Sequence, residues 1–394
     1  MKKGWEVKKL GDVCNVIGGG TPSKSNTAFY SGVIPWATVR DMRHEVIAET
    51  ECRITEDAIK GSSTNVIPAG NVVIATRVGL GKVCLLGQDT AINQDLRGII
   101  PRDDKTLLVR FLFWWLKSTS DVIVAEGTGA TVQGVKLPFV KSLEIPLPPI
   151  PEQRRIVGIL DEAFAGIATA KANAEKNLQN ARALFESHLN AVFSQKGEGW
   201  KQKTLEEIAT TFGRGKSKHR PRNAPHLYGG EYPFVQTGDI RNADHTITGY
   251  SQTYSEAGLA QSKLWPKGTI CITIAANIAE TAILGFDACF PDSVIGVVAN
   301  PEEADVGFIE YLLQSFKARI QAMGKGSAQA NINMGTFEHE RFPFPSVAEQ
   351  KQIVNKLDTL SAETRRLESI YQQKLAALDA LKKSLLHQAF SGNL

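Results

Sequence analysis

A stretch of this chain is written twice. Leu147-Pro148-Pro149-Ile150-Pro151-Glu152-Gln153-Arg154-Arg155-Ile156-Val157 opens a long helical run to about Phe193. Phe344-Pro345-Ser346-Val347-Ala348-Glu349-Gln350-Lys351-Gln352-Ile353-Val354 opens another, to about Phe390. The register holds throughout, with Gln153 on Gln350, Leu160 on Leu357 and Phe193 on Phe390, always 197 apart. A duplication in strict register allows few architectures, because whatever one copy folds into, the other must fold into as well.

Both runs step by four and three, the seam of a helix pair. The first seam reads Ile156, Leu160, Ala163, Ile167, Ala170, Ala174, Asn177, Ala181, Leu184 and His188. The second reads Ile353, Leu357, Leu360, Thr364, Leu367, Tyr371, Lys374, Leu378, Leu381 and Leu385. Small residues in one copy stand where the other has bulky ones, and Asn177 and Lys374 share one position, as a register-fixing polar layer would. About 42 residues at a rise of 1.5 Å make a rod of roughly 60 Å, the length of a spacer.

The flanking segments repeat too. Trp5, Leu10 and Val13 recur as Trp200, Leu205 and Ile208. Residues 1–146 read as strands broken by Pro68, Gly70, Gly79 and Gly81, with a helix N-cap at Thr55 and a helical stretch from Leu107 to Val124. Phe111, Trp114 and Trp115 fall at helical spacing, which favours core packing over base stacking. Residues 197–345 follow the same plan: Tyr232-Pro233-Phe234-Val235 with Asp239 answers Ile34-Pro35-Trp36-Ala37 with Asp41, and Ser255 answers Thr55. The expected fold class is α+β: two globular domains (1–146, 197–345) alternating with two long antiparallel coiled-coil helices (147–196, 346–394). A near-circular, pseudo-two-fold arrangement would bring the termini together.

Composition excludes little beyond disorder. At 42% hydrophobic residues, 394 residues suffice for folded cores. The net charge of +4 is spread as +3 over residues 1–150 and −2 over residues 197–345, so nucleic-acid binding would have to rest on local clusters. Five cysteines without C-x-x-C spacing read as reduced thiols. With neither an apolar leader nor a run of transmembrane length, the cytoplasm is the expected compartment.

One cluster stands out: Arg214, Lys216, Lys218, Arg220 and Arg222 place five cations and no acid within nine residues, a pattern suited to phosphate contact. Gly215-Lys216-Ser217 echoes the end of a P-loop, but Thr210 stands where the first glycine belongs. The loops 127–136 and 324–333 carry Thr131, Gln133 and Lys136, and Lys325, Gln329, Asn331 and Asn333. Amide side chains of this kind read adenine edges, while lysines hold phosphate. Lys24 is a further candidate DNA contact, as are Arg40, Arg43, Arg77 and Arg241, though each of these four arginines, judged alone, is more often a surface salt-bridge partner. No spacing of catalytic or metal-ligating residues emerges, so the chain reads as a binder.

The Pro-Leu-Pro-Pro-x-x-Glu-Gln-x-x-Ile motif at Pro146 to Ile156, its copy at Pro343 to Ile353, the Trp-x4-Leu starts and the long helices resemble the specificity subunit of type I restriction-modification enzymes. The resemblance covers essentially the whole chain. It implies two target-recognition domains, each reading one half of a split, asymmetric double-stranded DNA sequence. The paired helices would fix the gap between the halves and dock two methyltransferase subunits, with restriction subunits joining that core. This chain would bind no cofactor; S-adenosylmethionine, ATP and Mg would serve the partners. The competing readings are a stand-alone DNA methyltransferase or nuclease, and a helical protein-interaction scaffold.

Overall fold

The computed structural model describes residues 4–127, 134–195, 197–218, 221, 223–275, 278–324, 332 and 334–394. Contacts divide the chain into two units, Met1–Glu175 with Gln372–Leu394, and Lys176–Tyr371.

In the first unit a five-stranded sheet runs in the order Cys14–Gly18, Leu96–Pro101, Val72–Ala75, Val83–Leu86, Val46–Ile47. A four-stranded sheet runs Cys52–Ile54, Ile34–Ala37, Thr90–Ile92, Asn65–Ile67. In the second unit Ala209–Arg214, Val294–Ala299, Ile270–Thr273, Thr281–Leu284, Thr246–Ile247 repeat the five-stranded order. Gln252–Tyr254, Tyr228–Phe234, Ala288–Cys289, Leu264–Trp265 repeat the four-stranded one. The duplication read from the sequence is therefore a duplication of fold. Local signals hold as well: the Thr55 hydroxyl accepts from the Ala58 amide and the Ser255 hydroxyl from the Gly258 amide, each opening a short helix. The helical stretch after Leu107 resolves into Val109–Ser118 and Ser120–Ala125, with Phe111, Trp114 and Trp115 buried in the core.

The long helices span Ile150–Ser194 and Val347–Ser391. Each carries in its first turn a glutamine with no solvent exposure, Gln153 or Gln350. Gln153 accepts the Leu108 amide at 2.9 Å and donates to the Thr106 and Pro148 carbonyls at 2.8 and 2.9 Å. Gln350 accepts the Asp305 amide at 2.8 Å and donates to the Glu303 and Pro345 carbonyls at 3.2 and 2.9 Å. All three partners correspond at the 197-residue offset, so the repeated Glu-Gln motif is a side-chain plug that satisfies three backbone groups where helix meets domain. Two turns on, Asp161 accepts the Trp114 indole N–H and Asp358 the Tyr311 hydroxyl, both at 2.7 Å.

Within the first unit the helices run antiparallel: Lys171 bonds Asp379 at 2.7 Å, and Arg155 donates to the Leu394 carbonyl at 2.6 Å. Ile156, Leu160, Phe164 and Ile167 share a core with Leu386 and Ala389, and Trp5 and Leu394 lie against it, so both ends of the chain close on one core. In the second unit Arg182 bonds Glu368 at 2.9 Å, and Leu189 and Phe193 share a core with Leu357.

The heptad reading needs correction toward the C-terminal end of each helix. Leu184 and Leu381 are 50% and 46% exposed, and the polar pair Asn177 and Lys374 faces solvent. A straight helix drifts about 20° per heptad, so over four heptads a strict 3.5 repeat slips by nearly one residue. The inward positions accordingly pass to Leu178 and Phe185 in the first helix and to Leu375 and Lys382 in the second. The seam positions Ile156, Leu160, Ile167, Ile353, Leu357, Leu360, Leu367 and Leu378 are buried or half-buried.

Candidate nucleic-acid interface

In the first unit the turn after Ile34–Ala37 is held by Asp41, which accepts the Thr38 amide at 2.7 Å and the Glu51 amide at 2.8 Å. Gly19 packs so tightly on the Ile92 and Asn93 carbonyls that a Cβ would sit 2.0 Å from the nearer one. These two close contacts frame a cleft of about 580 Å³ whose walls carry Lys24, Arg40, Trp36, Asn93 and Gln94. The Trp36 indole donates to the Gly20 carbonyl at 3.2 Å, fixing the floor. Gln94 accepts from the Thr21 hydroxyl, and its amide N–H groups have no partner among the described residues.

The candidate cations divide by what already binds them. Arg43 pairs with Glu51 and donates to the Arg40 carbonyl at 3.0 Å, and Arg77 lies 3.6 Å from Asp95. Their charge is already matched within the protein. Lys24, Arg40 and Lys136 are exposed with no acidic partner among the described residues. Thr131 and Gln133, expected as base contacts, lie outside the described residues.

The second unit is built alike but furnished differently. Asp239 accepts the Gln236 amide at 2.8 Å as Asp41 does that of Thr38, and Gly215 packs on the Phe290 and Pro291 carbonyls as Gly19 does on Ile92 and Asn93. At the matching positions Gly238 replaces Arg40, and Pro291-Asp292 replace Asn93-Gln94. Arg214 is committed to the Asp292 carbonyl, its Nε donating at 2.7 Å, so it braces this turn. Lys216 and Lys218 are exposed and unpaired among the described residues. Arg241 lines a separate cleft beside His245, Glu280 and Lys317. Arg220, Arg222, Lys325, Gln329, Asn331 and Asn333 lie outside the described residues.

Two contributors escape a reading of the sequence. Gln94 sits in the short run Asn93-Gln94-Asp95 after a buried strand, a polar punctuation that is its only signal. Lys263 lies 3.7 Å over the Trp265 ring; burial, with Lys216 nearby, holds its ammonium below the usual lysine range. With Lys216 it forms a cationic pair that an anion would relieve.

In the separate cleft beside Arg241, His245 Nδ1 stands 2.6 Å from Glu310, a carboxylate without solvent exposure, and its ring stacks on Tyr311 at 4.6 Å. Burial pulls the imidazolium pKa down, but the hydrogen bond and charge of Glu310, aided by Asp358, outweigh it, and the net shift is upward. A raised native pKa contributes stability that is fully present below the unfolded value of 6.5 and fades as pH rises through the native one. His245→Gln should therefore flatten the decline in stability of the second unit as pH rises above about 6.5, read by urea unfolding. Equal pH slopes in the variant and the parent would remove His245 as the cause.

Two copies of one α+β fold, each on an antiparallel helix segment and each displaying its own exposed lysines, define a duplicated binding protein. A family model described as "Type I restriction modification DNA specificity domain" matches residues 2–179 and again 197–376. The chain belongs to that family. It is 33% identical over 196 residues to the type I restriction enzyme EcoR124I/EcoR124II specificity subunit of Escherichia coli, covering 48% of each chain. It is 28% identical over 253 residues to the MjaIX specificity subunit of Methanocaldococcus jannaschii, covering 60% of this chain and 58% of that one. These alignments thus span about half the length of the curated relatives. In fold it is similar to a chain of a type I R-M system solved in a study of complex assembly and conformational transition, with a TM-score of 0.81, 20% identity and coverage of 100% and 99%. No helix among the described residues is long and apolar enough to cross a membrane.

Proposed function

We propose that this chain is the non-catalytic DNA-specificity component of a type I restriction-modification complex, each unit reading one half of a bipartite, asymmetric target. The observation that carries this reading is the divergence of the clefts on a common scaffold: the bracing glycine and aspartate recur, while Arg40, Asn93 and Gln94 give way to Gly238, Pro291 and Asp292. One scaffold with two sets of reading groups suits two different half-sites.

In this reading 1–146 and 197–345 are the target-recognition domains, and 147–196 and 346–394 form the spacer that sets the gap between half-sites and docks two methyltransferase subunits. Restriction subunits join that assembly in the cytoplasm. S-adenosylmethionine, ATP and Mg serve the partner subunits. Lys24, Arg40, Lys136, Lys216 and Lys218 hold phosphates, and the amide of Gln94 approaches a base edge.

Gln94→Ala, assayed in complex with the cognate methyltransferase, should relax discrimination at one base position of one half-site. The expected loss is about 1–3 kcal/mol, that of one bidentate contact, with the other half-site untouched. Equal weakening on all sequences, or relaxation in both halves, would contradict the assignment of one unit to one half.

A further inference from the structure

The two ion pairs that join the long helices are repeat equivalents with their charges exchanged. Lys171 bonds Asp379 in the first unit, and Arg182 bonds Glu368 in the second. At the 197-residue offset Lys171 corresponds to Glu368, and Arg182 to Asp379. Duplication places the two bridges at one structural position, yet the first helix supplies both cations and the second both anions.

The exchange matters because two copies of one repeat share a pairing register. If a first helix lay against another first helix, Asp379 would be replaced by its equivalent, and Lys171 would face Arg182. A second helix against a second helix would set Glu368 against Asp379. Size follows the same logic: the inward positions Ala170, Ala174 and Ala181 of the first helix correspond to Leu367, Tyr371 and Leu378 of the second. Like pairing would leave alanine opposite alanine in one case and crowd bulky side chains in the other.

We propose that these residues form a self-discrimination code, by which each long helix accepts the unlike repeat and rejects the like repeat of a second copy of this chain. Charge at flanking positions sets partner choice in paired helices generally, and repulsion in the wrong pairing is half of specificity.

The test uses the full chain. Arg182→Glu with Asp379→Lys leaves net charge unchanged, makes both unlike pairs repulsive and makes both like pairs attractive. Lys171→Glu with Asp379→Lys, and Arg182→Glu with Glu368→Arg, each carry one of those two substitutions with its partner reversed as well, which keeps the unlike pairs attractive. Exposed pairs are each worth a few-fold, so reversing two of them should raise the dimer-to-monomer ratio of the first variant on the order of ten-fold over both controls in sedimentation at low salt. The difference should vanish at 1 M salt, where the Debye length is about 3 Å. An unchanged ratio, an equal rise in the controls, or a rise that survives 1 M salt would overturn the code.

Discussion

Gln153→Ala should lower the stability of the first unit by roughly 3–5 kcal/mol, because it strands three backbone groups at once. The side chain has no solvent exposure, and its removal takes their side-chain partner from the Leu108 amide and the Thr106 and Pro148 carbonyls. Each buried polar group left unpaired costs about 1–3 kcal/mol, and the cavity adds to that. Gln153→Glu should fare no better, since a carboxylate has neither donor and brings a charge into a buried site. Gln350→Ala should do the same to the second unit, where the three bonds repeat. Urea unfolding gives the magnitude and hydrogen exchange assigns it to a unit. A loss below about 1 kcal/mol would mean that water replaces the plug.

Replacing Lys24, Arg40 and Lys136 together by glutamine should reduce the salt slope of DNA binding by about 2.7, or 0.9 for each phosphate no longer neutralised. On that slope the affinity falls on the order of 100-fold at 0.2 M salt, equally for target and non-target DNA. Removing Arg43 and Arg77 should change the slope far less, because Glu51 and Asp95 already neutralise them. The measurement is binding of the complex with its methyltransferase to labelled duplexes across a salt series. An unchanged slope in the triple variant would place the DNA on another face.

What the sequence makes legible follows from where the information lies. The buried glutamines are readable because duplication marks any position that both copies must keep, and the Phe111, Trp114, Trp115 cluster because helical spacing separates core from surface. Leu184 and Leu381 mislead because a heptad template accumulates error along a straight helix, so the failure appears only after several turns. The cations are harder. Nothing local distinguishes Arg43, matched by Glu51 eight residues on, from Arg40, which has no such partner among the described residues. The exchanged bridges Lys171–Asp379 and Arg182–Glu368 span about 200 residues of sequence and become visible only when the fold supplies the antiparallel register. Gln94 is hidden for the same reason: its cleft is assembled from turns far apart in the chain.

The most direct measurement is methylation mapping by single-molecule sequencing of a host that carries this chain with its cognate methyltransferase, against the same host lacking only this chain. The account predicts a split adenine motif with two unlike halves that disappears with the chain. Methylation that persists unchanged without the chain would contradict it.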